Sequence, residues 1–214
     1  MTQVFPKLIG ICGHAGCGKD TVASYLHSTR PNTWTESFAT PLKIAAAAMF
    51  GISIDFFTDL NYKELPHEYW KVSPRQMAQF FGTEMVRNTM HALLPDVAHN
   101  FWVARLEAVL ANQIGDVEYT TDDVVTIPDV RFQNEYDWVL QQGGIIIHLT
   151  RPNADGIVGI PSHKSEQGIG FKHTPERNYL VENNTSLDDL YATIDGIVSV
   201  AKIYPLNHTN PDSY

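Results

Sequence analysis

Short apolar runs alternate along the chain with stretches in which apolar residues recur every three or four positions. Residues 7–12 form a continuous apolar run that leads into glycine-rich sequence, which is typical of a buried parallel strand entering a turn. Residues 19–28 follow that turn and have helical spacing. Two β-branched runs, 124–130 and 144–149, flank a segment of helix length, 131–143. This order predicts a parallel crossover unit, because parallel strands are joined through a helix.

Two outer strands and four more helices complete the predicted elements. The strands are residues 33–38 and 178–183, and the helices are residues 40–51, 73–90, 101–114 and 186–204. In helix 73–90, Ser73 is the expected N-cap and Pro74 the first helical residue, with an interruption at Gly82. The predicted fold class is α/β, with three layers and a mostly parallel sheet of about five strands. We expect a single domain, 1–214, that contains a helical region at 52–100.

The composition narrows the choice of partners. The net charge of −9 argues against a protein that wraps a polynucleotide, because such a surface needs a broad excess of Lys and Arg. A phosphorylated small molecule needs only a local cluster of cations. The two cysteines, Cys12 and Cys17, lack a second pair that would complete a zinc site, and we expect free thiols in a reducing cytoplasm.

The sequence predicts neither a signal peptide nor a membrane span. It begins without a basic segment followed by an apolar core, and no apolar run reaches the roughly 20 residues that a span needs. We therefore expect a soluble, unprocessed protein of the cytoplasm. The oligomeric state cannot be read from these features, and a homodimer stays open.

A phosphate-binding loop follows the first predicted strand. Residues 13–19 satisfy the pattern G-x-x-x-x-G-K, in which glycines allow backbone N–H groups to surround phosphate oxygens and the lysine reaches the terminal phosphates. The strand before it and the helix after it are the context that this loop requires. The residues expected to bind the phosphates of ATP are Gly13, His14, Ala15, Gly16, Cys17, Gly18 and Lys19.

The residue after Lys19 departs from the usual pattern. A Ser or Thr hydroxyl normally binds Mg²⁺ there, whereas this chain has Asp20 and then Thr21. Either Asp20 holds Mg²⁺ directly or through water, or it caps the helix while Thr21 supplies the oxygen. An ordinary acid at the start of a helix is the third interpretation. A later acid, Asp129, follows an apolar strand, where α/β proteins present functional groups at the carboxyl edge of the sheet.

Six short motifs together resemble one family. They occur in order from about residue 7 to about residue 195, and they are GKDT (18–21), SFATPLK (37–43), RQMAQFFGTEMVR (75–87), FWV (101–103), PDVRFQNE (128–135) and HKSE (163–166). The chain resembles the deoxynucleoside monophosphate kinases of tailed bacteriophages and their bacterial relatives. The resemblance implies a P-loop fold of the adenylate-kinase type. It also implies transfer of the γ-phosphoryl group of ATP to a deoxynucleotide, with Mg²⁺.

The resemblance also implies roles for single residues. In the family pattern D-x-R-x-x-x-E, Asp129 would orient the Mg²⁺ complex and Arg131 would hold a phosphate, with Glu135 as the third member. The implied catalytic set is Lys19, Asp20, Asp129, Arg131 and Glu135, and the implied metal ligands are Asp20, Thr21 and Asp129. A structural alternative for the D-x-R-x-x-x-E segment is a helix start with an internal ion pair.

The acceptor is expected to bind in the helical region. Arg75 or Arg87 would hold the acceptor phosphate, and Gln79 or Glu84 would read the edge of the base. The full set of implied acceptor ligands is Phe38, Lys43, Arg75, Gln79, Thr83, Glu84, Arg87, Trp102, Arg131 and Glu135. Arg75, Gln79 and Thr83 would share one helix face if the helix is unbroken. A solvated helix face is the alternative for these polar residues, and core packing is the alternative for Phe38 and Trp102.

Residues 151–177 show neither the helical nor the strand spacing of apolar residues. A loop of this length is usually functional or disordered. A kinase must exclude water from its bound substrates, so we interpret this segment as a lid. Its cations are Arg151, His163, Lys164, Lys172 and Arg177. Arg151 and Asn183 are also expected near ATP, with Asn183 bordering the adenine. An ordinary surface excursion with incidental charge is the alternative.

Two rival functions stay open at this point. Animal phosphomevalonate kinases carry a similar G-K-D loop and a later D-V-R, so another small-molecule kinase on the same scaffold is one rival. The other is a nucleotide-dependent switch, although the guanine-reading motif N-K-x-D does not occur in the sequence. The bases accepted and the choice between ribose and deoxyribose are not readable from the sequence.

Overall fold

The computed structural model describes residues 6–97, 99–152, 169–171, 174 and 176–201. A five-stranded sheet with the order β2-β3-β1-β4-β5 forms its centre. The strands are β1 (Lys7–Cys12), β2 (Thr33–Thr35), β3 (Val124–Ile127), β4 (Ile145–Thr150) and β5 (Asn178–Glu182). All four pairings are parallel. The predicted α/β fold with a sheet of five strands is therefore confirmed.

Helices connect the strands, and most of them lie where the sequence predicted them. They are α1 (Lys19–Thr29), α2 (Ala39–Phe50), α3 (Asp55–Thr58), α4 (Pro74–Gln79), α5 (Phe101–Leu110), α6 (Gln133–Gln141) and α7 (Leu187–Val200). Three tighter or wider segments are also present: a π-helix (Phe80–Arg87) and two 3₁₀ turns (Met90–Ala92 and Pro95–Val97). None of the helices in the described part of the chain is long and apolar enough to cross a membrane.

The sheet separates two hydrophobic cores, which gives the three layers. Alternate residues of β1 point to opposite faces: Leu8 packs with α5 and α6, whereas Ile9 packs with α1 and α7. Large residues of the helices complete each core, for example Leu106 on one side and Leu26 on the other, both nearly inaccessible to solvent. β1 is therefore buried on both faces, as its unbroken apolar sequence predicts.

Several predicted elements are shorter in the structure. The strand expected over 124–130 ends at Ile127, and the helix expected over 186–204 ends at Val200. The strand expected over 33–38 ends at Thr35, because the chain turns there to begin α2. The helix expected over 101–114 ends at Leu110. The helix expected over 73–90 begins as predicted, with Ser73 and Gln76 forming a capping box, but it widens into the π-helix after Gln79.

The strand order places the phosphate-binding loop at the centre of the sheet. β3 and β4 form the two ends of the predicted crossover, and β1 lies between them. The carboxyl ends of these three parallel strands therefore meet at one edge, where α/β proteins bind their ligands. Cys12, at the end of β1, and Cys17, in the loop beyond it, are free and buried, as expected. Burial raises the pKa of the Cys12 thiol to about 12.

Candidate active site

The loop between β1 and α1 has the backbone geometry of a phosphate cradle. Gly13, Gly16 and Gly18 have φ angles of 139°, 78° and 104°, a region that side chains with a Cβ rarely adopt. A Cβ on Gly13 would lie 2.1 Å from the carbonyl oxygen of Leu149, so glycine is required there by space as well as by conformation. The loop ends where Val22 N–H donates to the carbonyl of Gly18 over 3.0 Å and α1 begins.

Lys19 lies against the inside of this loop. Its Nζ donates to the carbonyl oxygens of Gly13 and His14 over 2.8 and 2.7 Å. Only 9% of the residue is exposed. The loop carbonyls thus hold the ammonium group next to the place where phosphate would bind.

Asn183 supports the loop from the other side. Its Nδ2 donates to the carbonyl of Cys17 over 2.9 Å, and its backbone N–H donates to Thr150 over 2.7 Å. A Cβ on Gly18 would lie 2.7 Å from the same Nδ2. Asn183 therefore ties the end of β4 to the loop, and it holds the backbone near which phosphate would bind.

A cleft of about 410 Å³ extends from the loop to the helical region. Six cations line it: Lys19, Lys43, Lys63, Arg75, Arg87 and Arg131. Three acids line it: Asp20, Asp129 and Glu135. A protein with a net charge of −9 therefore concentrates positive charge in one place, which suits a small anionic ligand. The volume falls in the range of small-molecule sites, roughly 300–1,000 Å³.

The cations of the cleft are close enough to affect one another. Burial lowers the pKa of Lys43, with Arg131 and Arg75 acting in the same direction and Asp129 and Asp20 opposing it. Burial likewise lowers the pKa of Lys63, together with Arg75 and Lys43. Like charges gathered in a partly dry cleft are unfavourable until an anion joins them.

Asp129 joins the carboxyl end of β3 to the start of α2. Its Oδ2 accepts from Ser37 Oγ over 2.8 Å and from the N–H of Ala39 over 2.7 Å, and its Oδ1 accepts from Phe38 N–H over 3.1 Å. A carboxylate that accepts backbone N–H groups at a helix start stabilises that start. Asp129 thus has a structural task in addition to its place in the cleft.

Glu135 and Arg87 form a buried ion pair. Arg87 Nη2 donates to Glu135 over 2.6 Å, while its guanidinium carbon lies 3.8 Å from the centre of the Phe132 ring. The other oxygen of Glu135 accepts from the N–H groups of Arg131 and Phe132 over 2.9 and 3.1 Å. Burial raises the pKa of Glu135 to about 7, although Arg87 opposes the rise.

Comparison with known proteins decides the family. The sequence model of deoxynucleotide monophosphate kinases matches residues 49–194. The chain belongs to the deoxynucleotide monophosphate kinase family. It is 31% identical to a protein of Acanthamoeba polyphaga mimivirus that carries the same family name, over 91% of this chain and 97% of that protein. It is 24% identical to the deoxynucleoside-5′-monophosphate kinase of Escherichia phage T5, over 78% of this chain and 86% of that protein.

Solved structures give weaker similarities. A thymidylate kinase from Candida albicans is 13% identical, with a TM-score of 0.46, over 96% of this chain and 100% of that one. A dephospho-CoA kinase from Campylobacter jejuni is 15% identical, with a TM-score of 0.39, over 92% of this chain and 98% of that one. The sheet order and the loop geometry of this kinase, rather than these similarities, carry the fold class.

The structure brings most of the predicted ligands of this kinase to the cleft. Those that line it are Ala15, Gly16, Lys19, Asp20, Phe38, Lys43, Arg75, Gln79, Thr83, Arg87, Trp102, Asp129, Arg131 and Glu135. Phe38 and Trp102 are also core residues, and Trp102 Nε1 donates to the carbonyl of Gly82 over 3.0 Å. Both therefore belong to the wall of the cleft, which agrees with the structural alternative for them.

Polar residues of α4 and of the π-helix that follows it line the cleft together. Arg75, Gln79, Thr83 and Arg87 follow one another at intervals of four residues, and all four line the cleft. The sequence predicted the shared face for the first three only if the helix was unbroken. π-Helical turns are often found at functional sites.

Glu84 lies outside the cleft. Its side chain is exposed and accepts from Asn88 Nδ2 over 2.9 Å. The expectation that Glu84 reads the base edge is therefore not supported by its position; of the two residues predicted for that role, Gln79 is the one that lines the cleft. Glu84 follows Thr83 directly, so the two side chains cannot share a helix face.

Asp20 and Thr21 also differ in position. Asp20 is exposed and lines the cleft, whereas Thr21 is half-buried and does not line it. Position therefore favours Asp20 over Thr21 as the residue that faces a bound metal complex. The other members of the predicted ATP set, Gly13, His14, Cys17 and Gly18, form the loop itself.

The predicted lid falls largely outside the described residues, and so do His163, Lys164 and Lys172. Of its remaining cations, Arg151 is exposed just beyond β4. Arg177 donates through Nη1 to the carbonyl of Gly144 over 3.3 Å, just before β4 begins. That position is at the amino edge of the sheet, opposite the phosphate-binding loop, so the prediction of Arg177 as a lid cation was wrong.

Sequence reasoning missed Lys63 in this kinase. Lys63 lies in a polar turn between α3 and α4, where no period or motif distinguishes one lysine from another. It also missed Ser37, which lines the cleft and donates to Asp129. Ser37 is the first residue of the motif SFATPLK, directly before Phe38. Its place in that motif was the signal that could have identified it.

Proposed function

We propose that this kinase transfers the γ-phosphoryl group of ATP to a deoxynucleoside monophosphate, which gives ADP and a deoxynucleoside diphosphate. One observation carries the proposal: a single cleft joins the phosphate-binding loop to a group of cations on α2 and on the helical region. Lys19 marks the loop end, and Lys43, Lys63 and Arg75 mark the other end. Two phosphate groups can therefore face each other within one cleft.

The reaction needs position and charge neutralisation more than it needs proton transfer. The attacking oxygen belongs to a phosphate that is already anionic at neutral pH, so no strong general base is required. Lys19 would contact the terminal phosphates of ATP, and Arg131 would contact phosphate between the two ends of the cleft. The buried Arg87–Glu135 pair is assigned to hold the shape of the acceptor side.

The carboxylates at the loop end fit a bound Mg²⁺ ion. Asp20 is exposed toward the cleft, and Asp129 retains acceptor capacity beyond its three hydrogen bonds. Among the described residues no group of three or more His, Cys, Asp or Glu could hold a metal ion. Mg²⁺ is usually held by one or two carboxylates together with substrate phosphates. When bound, Mg²⁺ would neutralise charge on the β- and γ-phosphate oxygens.

The remaining acceptor contacts follow from the face of α4 and the π-helix. Gln79 and Thr83 are buried, line the cleft and carry groups that can read the edge of a base. We assign Phe38 and Trp102 to the apolar wall against which the base would lie. The proposed partners are small molecules only, and the viral relatives support a location in the cytoplasm of an infected cell.

The test is a coupled assay of ADP release. Mg-ATP is combined with each deoxynucleoside monophosphate, each matching ribonucleotide and 5-phosphomevalonate. We expect one or more deoxynucleotides to raise ADP release far above the rate without acceptor. Lys19→Ala and Arg131→Ala should lower the rate by at least about 100-fold, the cost of a lost transition-state contact. Arg105→Ala, outside the cleft, is the control and should keep the wild-type rate.

Two outcomes would contradict the proposal. If only 5-phosphomevalonate raises the rate, the kinase acts on a different phosphate acceptor. If no acceptor raises the rate while ATP still binds, the phosphate-binding loop serves another substrate or a switch.

A further inference from the structure

A compact turn, residues 59–65, connects α3 to the segment before α4. Lys63 N–H donates to the carbonyl of Asp59 over 3.0 Å, and Leu65 N–H donates to Tyr62 over 3.0 Å. The carboxylate of Asp59 accepts from Asn61 N–H over 2.7 Å. These bonds determine the direction in which the side chains of the turn leave the backbone. None of the roles assigned above uses this turn apart from the position of Lys63 in the cleft.

The turn holds Arg75 by both its backbone and its side chain. Arg75 N–H donates to the carbonyl of Lys63 over 2.9 Å. Arg75 Nε donates to Glu64 Oε1 over 2.6 Å, and the two side chains are only 12% and 30% exposed. A charge-assisted bond of this length restrains a long side chain that otherwise has many rotamers. Neighbouring residues of one turn thus fix Arg75 at two points.

Lys63 faces the same space as Arg75 and Lys43. All three line the cleft, and Arg75 and Lys43 both contribute to the lowered pKa of Lys63, after its burial. Glu64 and Asp20 offset this effect in part. Three cations in a half-buried cluster repel one another and have lost part of their hydration. A phosphate dianion that enters the cluster stabilises them, because its negative charge offsets both effects.

We propose that Lys63 is a direct ligand of the acceptor phosphate and that Glu64 is a positioning residue that aims Arg75 at the same phosphate. The inference rests on the proposed function and extends it to a segment outside every motif of the chain. It makes the turn 59–65 the element that distinguishes a phosphorylated acceptor from an unphosphorylated nucleoside. ATP bound at Lys19 would not depend on it.

The experiment separates the two substrates by their KM values. In the Lys63→Met variant the KM for the deoxynucleotide should rise about tenfold or more, the loss expected for one charge-assisted contact. The KM for ATP should stay within about twofold of the wild-type value, because Lys63 would not contact ATP. Lys63→Arg should restore most of the affinity, since it keeps the charge. Lys71→Met, an exposed lysine that does not line the cleft, is the matched control and should leave both KM values unchanged.

The role of Glu64 is tested by the same comparison of the KM for the deoxynucleotide with the KM for ATP. Glu64→Gln should raise the KM for the deoxynucleotide about threefold, less than Lys63→Met, because Arg75 keeps its charge but loses part of its restraint. The KM for ATP and the midpoint of thermal unfolding should not change. A direct titration of the same deoxynucleotide without ATP should show the same order of affinities.

Failure of this inference can be distinguished from failure of the proposed function. If wild-type protein phosphorylates a deoxynucleotide and Lys63→Met has the wild-type KM, Lys63 is not a ligand and the proposed function stands. Equal rises in both KM values, or no rescue by Lys63→Arg in a folded variant, overturn the inference as well. If no deoxynucleotide is phosphorylated by the wild type, the proposed function fails and the inference falls with it.

Discussion

Arg87 donates to Glu135 over 2.6 Å across the boundary between the acceptor region and α6, with side-chain exposures of 11% and 2%. The two residues come from different motifs, and each had been assigned to substrate. Their pairing instead places them in the framework of the cleft, since Glu135 also accepts two backbone N–H groups at the start of α6. Substrate contact by Arg87 would have to occur without loss of this pair.

Removal of Arg87 should therefore affect stability first. Arg87→Met leaves the buried carboxylate of Glu135 without its cation, and we expect the free energy of unfolding to fall by about 3 kcal/mol or more. Urea denaturation at neutral pH measures the change. Arg30→Met breaks the ion pair of Arg30 with Asp195, and the two side chains are 32% and 46% exposed. This variant should lose much less stability than Arg87→Met, because solvent screens an exposed pair. Equal small losses in both variants would show that the buried pair does not anchor α6.

Substitution of Gly13 should abolish ATP binding. A Cβ at this position meets the carbonyl oxygen of Leu149 at 2.1 Å, so Gly13→Ala must displace either the loop or β4. Gly51, at the end of α2, also has a positive φ of 66° but has no atom within 4 Å of an added Cβ. Gly51→Ala should cost about 1–2 kcal/mol, the strain of an L-residue in the left-handed region, and should keep activity. Calorimetric titration with ATP would contradict the steric argument if Gly13→Ala bound as the wild type does.

Substitution of Asn183 should weaken the binding of ATP without affecting the binding of the acceptor. Asn183→Ala removes the bond to Cys17 that holds the loop, and we expect the KM for ATP to rise about tenfold with the KM for the deoxynucleotide unchanged. Asn112→Ala removes two hydrogen bonds with the backbone of Tyr119, of 2.9 and 2.8 Å, in a region that does not line the cleft, and it should change neither KM. A rise in the acceptor KM alone would place Asn183 in a different role.

As pH rises, acceptor binding should begin to weaken at a lower pH than the usual pKa of a lysine would predict. Burial lowers the pKa of Lys43 from its usual 10.5, and the same is true of Lys63. The charged amines are the forms that attract phosphate, so kcat/KM for the deoxynucleotide should fall as pH rises through these lowered pKa values. In the double variant Lys43→Arg, Lys63→Arg the charge persists at high pH, and the alkaline fall should disappear.

The pH dependence of kcat/KM for ATP is the control for that experiment. Lys19, rather than Lys43 or Lys63, lies in the loop that would bind ATP, so the ATP profile should be similar in both proteins. If kcat/KM for the deoxynucleotide still falls at high pH in the double variant, the fall comes from a group other than Lys43 or Lys63.

The central strand and the loop after it could be predicted from local sequence. A run of apolar residues that is buried on both faces needs no distant partner to be recognised, and β1 has the predicted bounds. The spacing of Gly13, Gly18 and Lys19 likewise specifies backbone conformation within a few residues. The predicted face of Arg75, Gln79 and Thr83 also lines the cleft, because helical spacing brings residues four apart together.

Long-range contacts decided the remaining features of the site. Ser37 and Asp129 are 92 residues apart and meet only because β3 ends beside the start of α2. Arg87 and Glu135 are 48 residues apart, and Lys63 reaches the cleft from a turn with no period of its own. The sequence by itself determined the layered fold, the phosphate-binding loop and the residue types available for catalysis, because those depend on local spacing. Only the tertiary structure decided which charges pair with each other and which face a substrate, because that depends on the packing of distant elements.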